Sequence, residues 1–300
     1  MKIFIQVWNL FVLCTVSLSQ VIDISLPQKE PVKLEAYARI TSSQIQEASG
    51  LVKSRLWPDV YWTHNDSGDQ PRIFALNRAG ELIKPKWMPF DIGIQIPDAV
   101  HVDWESITTD DSGNLIIGDC GNNSNTRRDL LLYFVKEPYP FETANTTITK
   151  KIFFSYPDLE KIPPTRMNFD AEGIFWYKKH IYILTKHRSD TFTKLYRLDT
   201  LDPTIVNTLT FISRFNIQGQ VTGADISENY NQMVILTDNS VWLFKTDGKT
   251  DNFFLGKKFW LPILTNGCEA ICFDDNYLLI CNEAGELFQL GISDLIPLND

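Results

Sequence analysis

The sequence has little histidine and none of the short motifs that identify the common enzyme classes. Only 4 of its 300 residues are histidine. A phosphate-binding G-x-x-x-x-G-K-S/T loop, a G-x-S-x-G nucleophile turn, a zinc-binding H-E-x-x-H pair and a C-x-x-C pair are all missing. These absences argue against a P-loop nucleotide hydrolase, an α/β-hydrolase and a histidine-rich zinc site.

Long apolar runs are missing after the first nineteen residues. Lys2 precedes an apolar stretch that ends in Ser17-Leu18-Ser19, which offers the small residues that a signal peptidase accepts. We therefore expect residues 1–19 to be a signal peptide and residues 20–300 to be one secreted domain. No later segment reaches the roughly 18 apolar residues of a membrane span, so no membrane insertion is expected after cleavage.

Positive charge is also scarce. The chain carries 28 Lys and Arg against 37 Asp and Glu, a net charge of −9, and loss of Lys2 with the signal peptide gives 27 − 37 = −10. An acidic chain without a basic cluster is a poor ligand for nucleic acid and for anionic membrane surfaces. We expect a monomer that binds cations and no nucleic acid.

Cysteine pairing and N-glycosylation both depend on the secretory route. After signal cleavage the cysteines are Cys120, Cys268, Cys272 and Cys281. Cys268 and Cys281 flank a predicted hairpin, so we expect either a disulfide between them or buried free thiols. The N-x-S/T sequons lie at Asn65, Asn122 and Asn145. Only Asn145, in the polar segment ETANTT, is expected to be an exposed glycan acceptor.

What the sequence does contain is a fivefold repeat. Each repeat has an acid beside the start of a short apolar run and a polar cluster after the next run. The acids are Glu47, Glu105, Glu172, Asp225 and Glu269. The aligned residues of the polar clusters are His64, Asp119, Lys186, Asp238 and Asn282, which follow their acids by 17, 14, 14, 13 and 13 positions. Self-similarity with this period indicates a repeat architecture.

The repeats predict a β-propeller. The acids are 58, 67, 53 and 44 residues apart, and in the second repeat the strand-like segments are ESITT, LIIGD, LLLYFV and TKKIFFSY. The fifth repeat ends after three strands, near Leu290, so Val32 to Thr41 is expected to supply the fourth. We predict an all-β propeller of five four-stranded blades closed by this N-terminal strand. Six blades is the alternative, if Pro138 to Pro164 contains another.

This architecture brings the repeated acids together. In a propeller blade the first strand lies nearest the axis and the second runs antiparallel beside it, so the acids and the polar clusters should converge on one mouth of the central funnel. Two charges about 4 Å apart repel by roughly 4 kcal/mol at an effective dielectric of 20. Carboxylates without His or Cys favour Ca²⁺, so the five acids are candidate calcium ligands. Alternatively, each acid caps backbone N–H groups.

The polar clusters add candidate catalytic and binding groups. His64, Asp119 and Lys186 are the candidate catalytic residues, with His64 or an acid as general base. The candidate ligand-binding residues are Asn65, Asp66, Asp69, Asn122, Arg127, Arg128, His187, Asp238 and Glu283. This set predicts a calcium-dependent ester or phosphoester hydrolase acting on a small anionic ligand. The alternatives are a non-catalytic propeller that binds a protein or glycan, and a merely solvated polar rim.

A family resemblance covers most of the mature chain. The ordered segments EASGL, YWTHNDSGD, DWESI, GDCGNN followed by RR, YPD, DAEGI, VTGADIS and CEAI resemble a family of secreted bacterial propeller proteins. More remotely, they are similar to phytase-like and SdiA-regulated propellers. In phytase-like proteins a Glu-Gly pair, matched here by Glu172 and Gly173, supplies a calcium ligand in the central channel. The resemblance therefore implies that role for Glu172, although phytases have six blades.

Overall fold

The computed structural model describes residues 21–264 and 266–298, so the predicted signal peptide lies outside the described residues. Apart from strands, the described chain contains three single-turn 3₁₀ helices, at Glu228–Tyr230, Phe253–Leu255 and Ile292–Asp294. The predicted all-β class is confirmed. None of the helices in these residues is long and apolar enough to cross a membrane.

Three short strands precede the first blade. They are β1 (Val21–Ile22), β2 (Val32–Lys33) and β3 (Ala36–Arg39). In each of the five blades that follow, the first strand lies at the axis, and the next strands pair outward from it in chain order. Blade 1 consists of β4 (Ala48–Lys53), β5 (Tyr61–Asn65), β6 (Arg72–Leu76) and β7 (Leu82–Ile83), with β8 (Ile94–Gln95) also paired to β6. Blade 2 consists of β9 (Trp104–Thr109), β10 (Asn114–Asp119), β11 (Leu131–Lys136) and β12 (Ile148–Ser155).

The remaining three blades repeat this order. Blade 3 consists of β13 (Asp170–Tyr177), β14 (His180–Lys186), β15 (Phe192–Leu198) and, after β16 (Val206–Thr208) on the edge of blade 2, β17 (Thr210–Asn216). Blade 4 consists of β18 (Val221–Ser227), β19 (Gln232–Thr237), β20 (Ser240–Lys245) and β21 (Lys257–Leu264). Blade 5 contains β22 (Cys268–Asp274), β23 (Tyr277–Asn282) and β24 (Glu286–Gly291), and β25 (Ile296–Leu298) pairs with β21. Five blades are confirmed, since the segment from 138 to 164 holds only β12.

The blades form a ring because each buries both of its faces against its neighbours. The inner strands β4, β9, β13, β18 and β22 contact one another in that order, and β22 contacts β4. Five apolar clusters fill the five gaps between blades. Along one strand the side chains alternate between the two gaps: Ile174 of β13 packs toward blade 2 and Phe175 toward blade 4.

The N-terminal segment closes the ring and continues along its outer edge. Strand β3 pairs antiparallel with β24, Arg39 lying opposite Glu286, and gives blade 5 its fourth strand as predicted. The predicted strand from Val32 to Thr41 is nevertheless two strands, because the chain crosses between blades after Lys33. Strand β2 pairs parallel with β21 of blade 4, and β1 pairs parallel with β17 of blade 3.

All four cysteines of the described chain are free, buried thiols, so the second of the two expected arrangements is observed and no Cys268–Cys281 disulfide is present. Cys268 lies opposite Asn282, and Cys281 lies opposite Ala270, so the two cysteines are diagonal across the hairpin. Burial raises the pKa of Cys268 to about 11 and that of Cys281 to about 12. Both thiols are therefore protonated and unreactive at neutral pH.

Candidate functional site

Every inner strand carries a β-bulge near its start, and these bulges define the site. The bulge residues are Ser49, Glu105, Glu172, Thr222 and Glu269. A bulge places an extra residue in one strand and re-aims its side chain. The bulges of all five blades lie at the same end of the axis, which we call the upper mouth. The opposite end, where the inner strands finish, is the lower mouth.

The bulge position corrects the alignment made from the sequence. Glu105, Glu172 and Glu269 occupy both the predicted and the observed repeat position. In blade 1 the shared position is Ser49, two residues after Glu47, and in blade 4 it is Thr222, three residues before Asp225. The upper mouth therefore carries three carboxylates and two hydroxyls at this level instead of five carboxylates.

A cavity of about 100 Å³ opens at the upper mouth, and we call it the axial cavity. Its lining consists of Glu47, Ala48, Ser49, Asp66, Glu105, Asn123, Glu172, Lys186, Glu269 and Glu283. Six of these ten residues are acids, and Lys186 is the one cation among them. The predicted convergence holds for the four acids Glu47, Glu105, Glu172 and Glu269, and for Asp66, Lys186 and Glu283 from the polar clusters.

Two overlapping groups of carboxylates form the centre of this site. Asp66, Asp103 and Glu105 each place an oxygen within 4.8 Å of the others, and so do Glu105, Asp170 and Glu172. Glu105 belongs to both groups. Such a buried acidic cluster can bind a metal ion, and its ligand atoms are all oxygens, as hard divalent cations require. Asp103 and Asp170 were not predicted from the sequence, although each forms an Asp-x-Glu pattern with a bulge glutamate.

The electrostatics of the cluster oppose ionisation. Burial, reinforced by the charges of Glu172 and Asp66, raises the pKa of Glu105 well above its ordinary value. Burial and the charge of Asp170 do the same for Glu172. Burial and the charges of Asp66 and Asp170 raise the pKa of Asp103 to about 6, and burial raises that of Glu269 to about 7. Near neutral pH the cluster therefore either retains protons or needs a cation.

Two cations offset part of this charge. Lys186 Nζ lies 3.0 Å from Glu172 Oε1, and Arg188 Nη2 lies 2.8 Å from Asp170 Oδ2. Burial lowers the pKa of Lys186, but the carboxylates of Glu172 and Glu269 more than offset this effect, and the pKa is raised. Lys186 is therefore charged. The two groups of carboxylates contain five acids, so these two cations leave an excess of negative charge.

Gly121 brings main chain directly against the cluster. A Cβ atom built on it would lie 2.4 Å from Cγ of Asp103 and 2.5 Å from Oε1 of Glu105. Real Cβ atoms do not approach other heavy atoms so closely, so any side chain here would displace the carboxylates. The sequence feature that marks this position is the GDCG segment at the end of β10, which is one of the polar clusters of the repeat.

His64 does not face the axial cavity. Its ring is fully buried, its Nδ1 donates to the Asn65 carbonyl at 2.9 Å, and it makes an edge contact with Trp104 at 5.7 Å between centroids. Burial lowers its pKa to about 4, so the ring is neutral. His64 pairs with Gly50, whereas Asp119 pairs with Trp104, so the two are not equivalent as the sequence alignment assumed.

Three predicted residues of blade 2 support the cluster from outside the cavity. Asp119 Oδ1 lies 2.8 Å from Arg127 Nη2 and accepts from the Asp103 N–H at 3.1 Å. Asn122 donates its backbone N–H to Asp170 at 2.6 Å. These contacts position Asp103 and Asp170 by holding their main chain or carboxylate. The remaining predicted residue from the polar cluster of this blade, Arg128, is exposed.

Asn65 and Asp69 form a separate polar cluster at the upper end of blade 1. The Asn65 amide donates to Asp69 Oδ2 at 2.6 Å, and the Arg72 guanidinium binds both oxygens of Asp69. All polar atoms of the Asp69 carboxylate are therefore occupied within the blade. Neither residue lines the axial cavity, so a structural role in the HNDSGD turn accounts for both.

The remaining predicted residues lie elsewhere. His187 is fully buried against Asp190, with 2.6 Å between Nδ1 and Oδ1, and burial lowers its pKa to about 4. Asp238 is exposed and accepts from the Gln220 N–H at 2.8 Å. Asp225 lies at the lower mouth, three residues beyond the bulge, where its carboxylate accepts from the Phe273 N–H at 2.8 Å. The prediction that all five acids meet at one mouth is wrong for Asp225.

Comparisons with known proteins show the fold and no family. No protein-family model and no curated protein matches the chain. The solved structure of the major Malassezia sympodialis allergen Mala s 1 is similar with a TM-score of 0.54 and 10% identity, over 87% of this chain and 95% of that chain. This likeness shows a shared fold alone. The resemblance to the secreted bacterial propeller family therefore stays a prediction.

Two further solved structures match less well. They are an aldose sugar dehydrogenase with bound PQQ from Streptomyces coelicolor (TM-score 0.47, 8% identity, 86% of this chain and 98% of that chain) and a gluconolactonase from Xanthomonas campestris (TM-score 0.44, 11% identity, 88% of this chain and 95% of that chain). Their similarity to this chain is remote, and nothing about its activity follows from them.

Proposed function

We propose that this protein is a secreted β-propeller that binds Ca²⁺ in the axial cavity and hydrolyses a small ester or phosphoester there. The observation that carries the proposal is Glu105, a buried carboxylate shared by two groups of acids. Burying carboxylates close together is unfavourable unless a cation or protons compensate them. A hard divalent cation held by oxygen ligands relieves that cost, and carboxylates are the ligands that Ca²⁺ prefers.

The residues for the cation are the two groups around Glu105. Asp66, Asp103 and Glu105 form one group, and Asp170 with Glu172 extends it through Glu105. Asp119, Asn122 and Gly121 hold the positions of these ligands, as described above. When bound, the cation supplies positive charge that polarises an ester carbonyl or a phosphoryl oxygen.

The chain offers a base and an electrophile beside this cluster. Glu269 lines the cavity, and its pKa of about 7 suits a general base that takes a proton from water near neutral pH. Lys186 lines the same cavity as a charged ammonium group and can stabilise negative charge on the reacting oxygen. Glu269 replaces His64 as the proposed general base, because His64 is buried inside the blade, and Lys186 remains a proposed catalytic group.

A non-catalytic binding propeller is the second candidate. The axial cavity has a volume of only about 100 Å³, which holds an ion with a few ligand atoms but no complete drug-sized substrate. A hydrolase must therefore admit only the reacting group of its substrate. A binding module would use the calcium-loaded mouth to hold one acidic group of an extracellular partner.

The calcium site is tested by titration of the metal-free protein. We expect calorimetry to show saturable Ca²⁺ binding, weakened at least about tenfold by Glu105→Gln or Asp103→Asn because each removes a charged ligand. Asp247→Asn is a matched control, since Asp247 is an exposed acid paired only with Lys249. A wild-type protein that gives no binding heat, and a melting temperature indifferent to Ca²⁺ and EDTA, would refute the site.

Catalysis is tested separately on a panel of esters and phosphoesters. A hydrolase should turn over at least one of them in Ca²⁺ and lose turnover in EDTA. Glu269→Gln should abolish that turnover while Ca²⁺ binding persists, because Glu269 is outside the two ligand groups. Calcium binding without turnover on any substrate would select the binding propeller instead.

A further inference from the structure

The lower mouth of the axis holds a second cavity, which is larger than the axial cavity. It measures about 370 Å³ and lies between the ends of the inner strands of blades 1, 2, 4 and 5 and the turn after β18. Small-molecule sites typically measure roughly 300–1,000 Å³. No residue lines both cavities, so the lower mouth is a separate site at the other end of the ring.

A buried carboxylate is the central polar group of this cavity. Asp225 is only 9% exposed, and its Oδ2 accepts from the Phe273 N–H at 2.8 Å. No Lys or Arg of the described chain forms an ion pair with it. A carboxylate has about four acceptor sites, so Asp225 retains capacity for hydrogen bonds from a ligand.

The cations of the lower mouth are already neutralised, which argues against an anionic ligand. Lys53 Nζ lies 2.6 Å from Asp274, and Arg55 Nη1 lies 2.7 Å from Asp111. Burial raises the pKa of Asp225 to about 6. Hydrogen bonds from two backbone N–H groups and the nearby charge of Arg55 lower the pKa, but by less than burial raises it. With these cations paired, Asp225 and Glu228 give the lining a small excess of negative charge. A neutral ligand with hydrogen-bond donors therefore fits the cavity better than an anion.

Hydroxyl groups make up much of the remaining polar lining. The side chains of Thr108, Thr109 and Ser227 line the cavity, and their hydroxyls have no hydrogen-bond partner among the described residues. Thr108 and Thr109 are 2% and 3% exposed, so their hydroxyls can obtain partners only from the cavity. Phe273 adds an aromatic surface to the same lining. Unpaired hydroxyls in a cavity need either water or a ligand that both donates and accepts.

We propose that the lower mouth binds a neutral monosaccharide. Sugar hydroxyls would donate to Asp225 and exchange hydrogen bonds with Thr108 and Thr109, and the apolar face of the sugar ring would cover Phe273. This pairing satisfies the unpartnered groups of the lining and requires no net charge on the ligand. The proposal is independent of calcium binding and of hydrolysis at the upper mouth.

The experiment titrates the full secreted protein with D-glucose, D-galactose, D-mannose and N-acetyl-D-glucosamine in turn. Saturation-transfer NMR measures the binding of each sugar. We expect saturable binding of at least one sugar, weakened at least about tenfold by Asp225→Asn because a charge-assisted acceptor is lost. Thr109→Val should weaken binding less, since it removes one neutral hydroxyl and keeps the side-chain volume. Asp247→Asn, a matched change on the exposed surface, should leave binding unaltered.

Folding of each variant is checked by circular dichroism. Should Asp225→Asn fail to fold, Thr109→Val still decides the question, because replacing an unpartnered hydroxyl with a methyl group does not disrupt the strand. Absence of binding for all four sugars up to about 50 mM would overturn the proposal. Binding that is equally strong in wild type, Asp225→Asn and Thr109→Val would also overturn it, since the sugar would then occupy another surface.

Discussion

Single carboxylates at the upper mouth carry an energetic cost that the fold itself does not recover. Glu105 and Glu172 are almost fully buried, yet the described cations near them are only Lys186 and Arg188. Glu172 is paired with Lys186, whereas Glu105 forms no ion pair among the described residues. A structural acid would be paired as Asp69 is with Arg72, so the unpaired Glu105 is the carboxylate that favours a ligand site over a purely structural role.

Glu269→Gln tests this cost through its pH dependence. The folded pKa of Glu269, about 7, lies above its ordinary value of 4.5, so its contribution to stability is fully present below pH 4.5 and is lost as pH rises through 7. Glutamine does not titrate. In EDTA, the stability of the variant relative to wild type should therefore rise by about 2 kcal/mol between pH 4.5 and 7.5, as measured by urea unfolding.

Comparing Glu269→Gln with wild type isolates the titration of Glu269, because the buried histidines titrate alike in both proteins. Glu35→Gln is the control, since the Glu35 side chain is 81% exposed and should show no such trend. A stability difference for Glu269→Gln that stays flat over this pH range would contradict the assignment of Glu269 as a proton-accepting group.

At this scale the sequence predicted some site residues and could not predict others. Glu105, Glu172 and Glu269 were found because an acid occupies the bulge. Ser49 and Thr222 were missed because the alignment followed acids, whereas the shared feature is the bulge itself. His64 was misplaced because each bulge shifts the strand register, and a shift of one residue reverses which face a side chain occupies.

At the scale of elements, the edge strands decide whether a propeller remains soluble. Strand β24 is the third strand of blade 5, and β3 covers its outer edge. Strands β1 and β2 each add a short parallel strand to a blade that already has four strands of its own. An uncovered edge exposes unpaired N–H and C=O groups that can pair with another molecule. The first two strands should therefore be dispensable for solubility, and β3 should not.

Two truncations separate these roles. A protein beginning at Leu34 loses β1 and β2 and the partial burial of Ile22, Ile24 and Leu26, so it should remain monomeric but about 3 kcal/mol less stable to urea. A protein beginning at Ile40 also loses β3 and should aggregate. Size-exclusion chromatography distinguishes the outcomes, and a soluble, monomeric second truncation would show that β3 does not protect the edge.

The sequence predicted blades better than their connections. Four strand-like segments per repeat were sufficient to count five blades, because strand composition and turn residues act locally. The division of the predicted strand Val32 to Thr41 was not readable, since both halves are strand-like and only the three-dimensional ring shows that they lie on different blades. The diagonal placement of Cys268 and Cys281 likewise depends on a bulge register that no spacing reveals.

At the scale of the whole molecule, the inner strands couple all five blades into a ring, and four of the blades share one central site. Each inner strand touches its two neighbours, and the carboxylates of the upper mouth come from blades 1, 2, 3 and 5. The proposed cation would contact ligands from blades 1, 2 and 3 and would stabilise their mutual packing. Loss of one blade would remove a wall from two of the five apolar clusters, so partial unfolding is unfavourable.

This arrangement predicts that the protein unfolds in a single calorimetric transition, and that Ca²⁺ raises the melting temperature of the whole transition. At a Ca²⁺ concentration 100 times its dissociation constant, binding to the folded state alone adds about 2.7 kcal/mol, which corresponds to an increase in melting temperature of about 5 °C. Because the ligands come from several blades, the entire transition should shift in Ca²⁺ and return in EDTA, and Glu105→Gln should remove the shift. Two separate transitions, with calcium moving only one of them, would mean that the blades unfold independently and that the site does not hold the ring together.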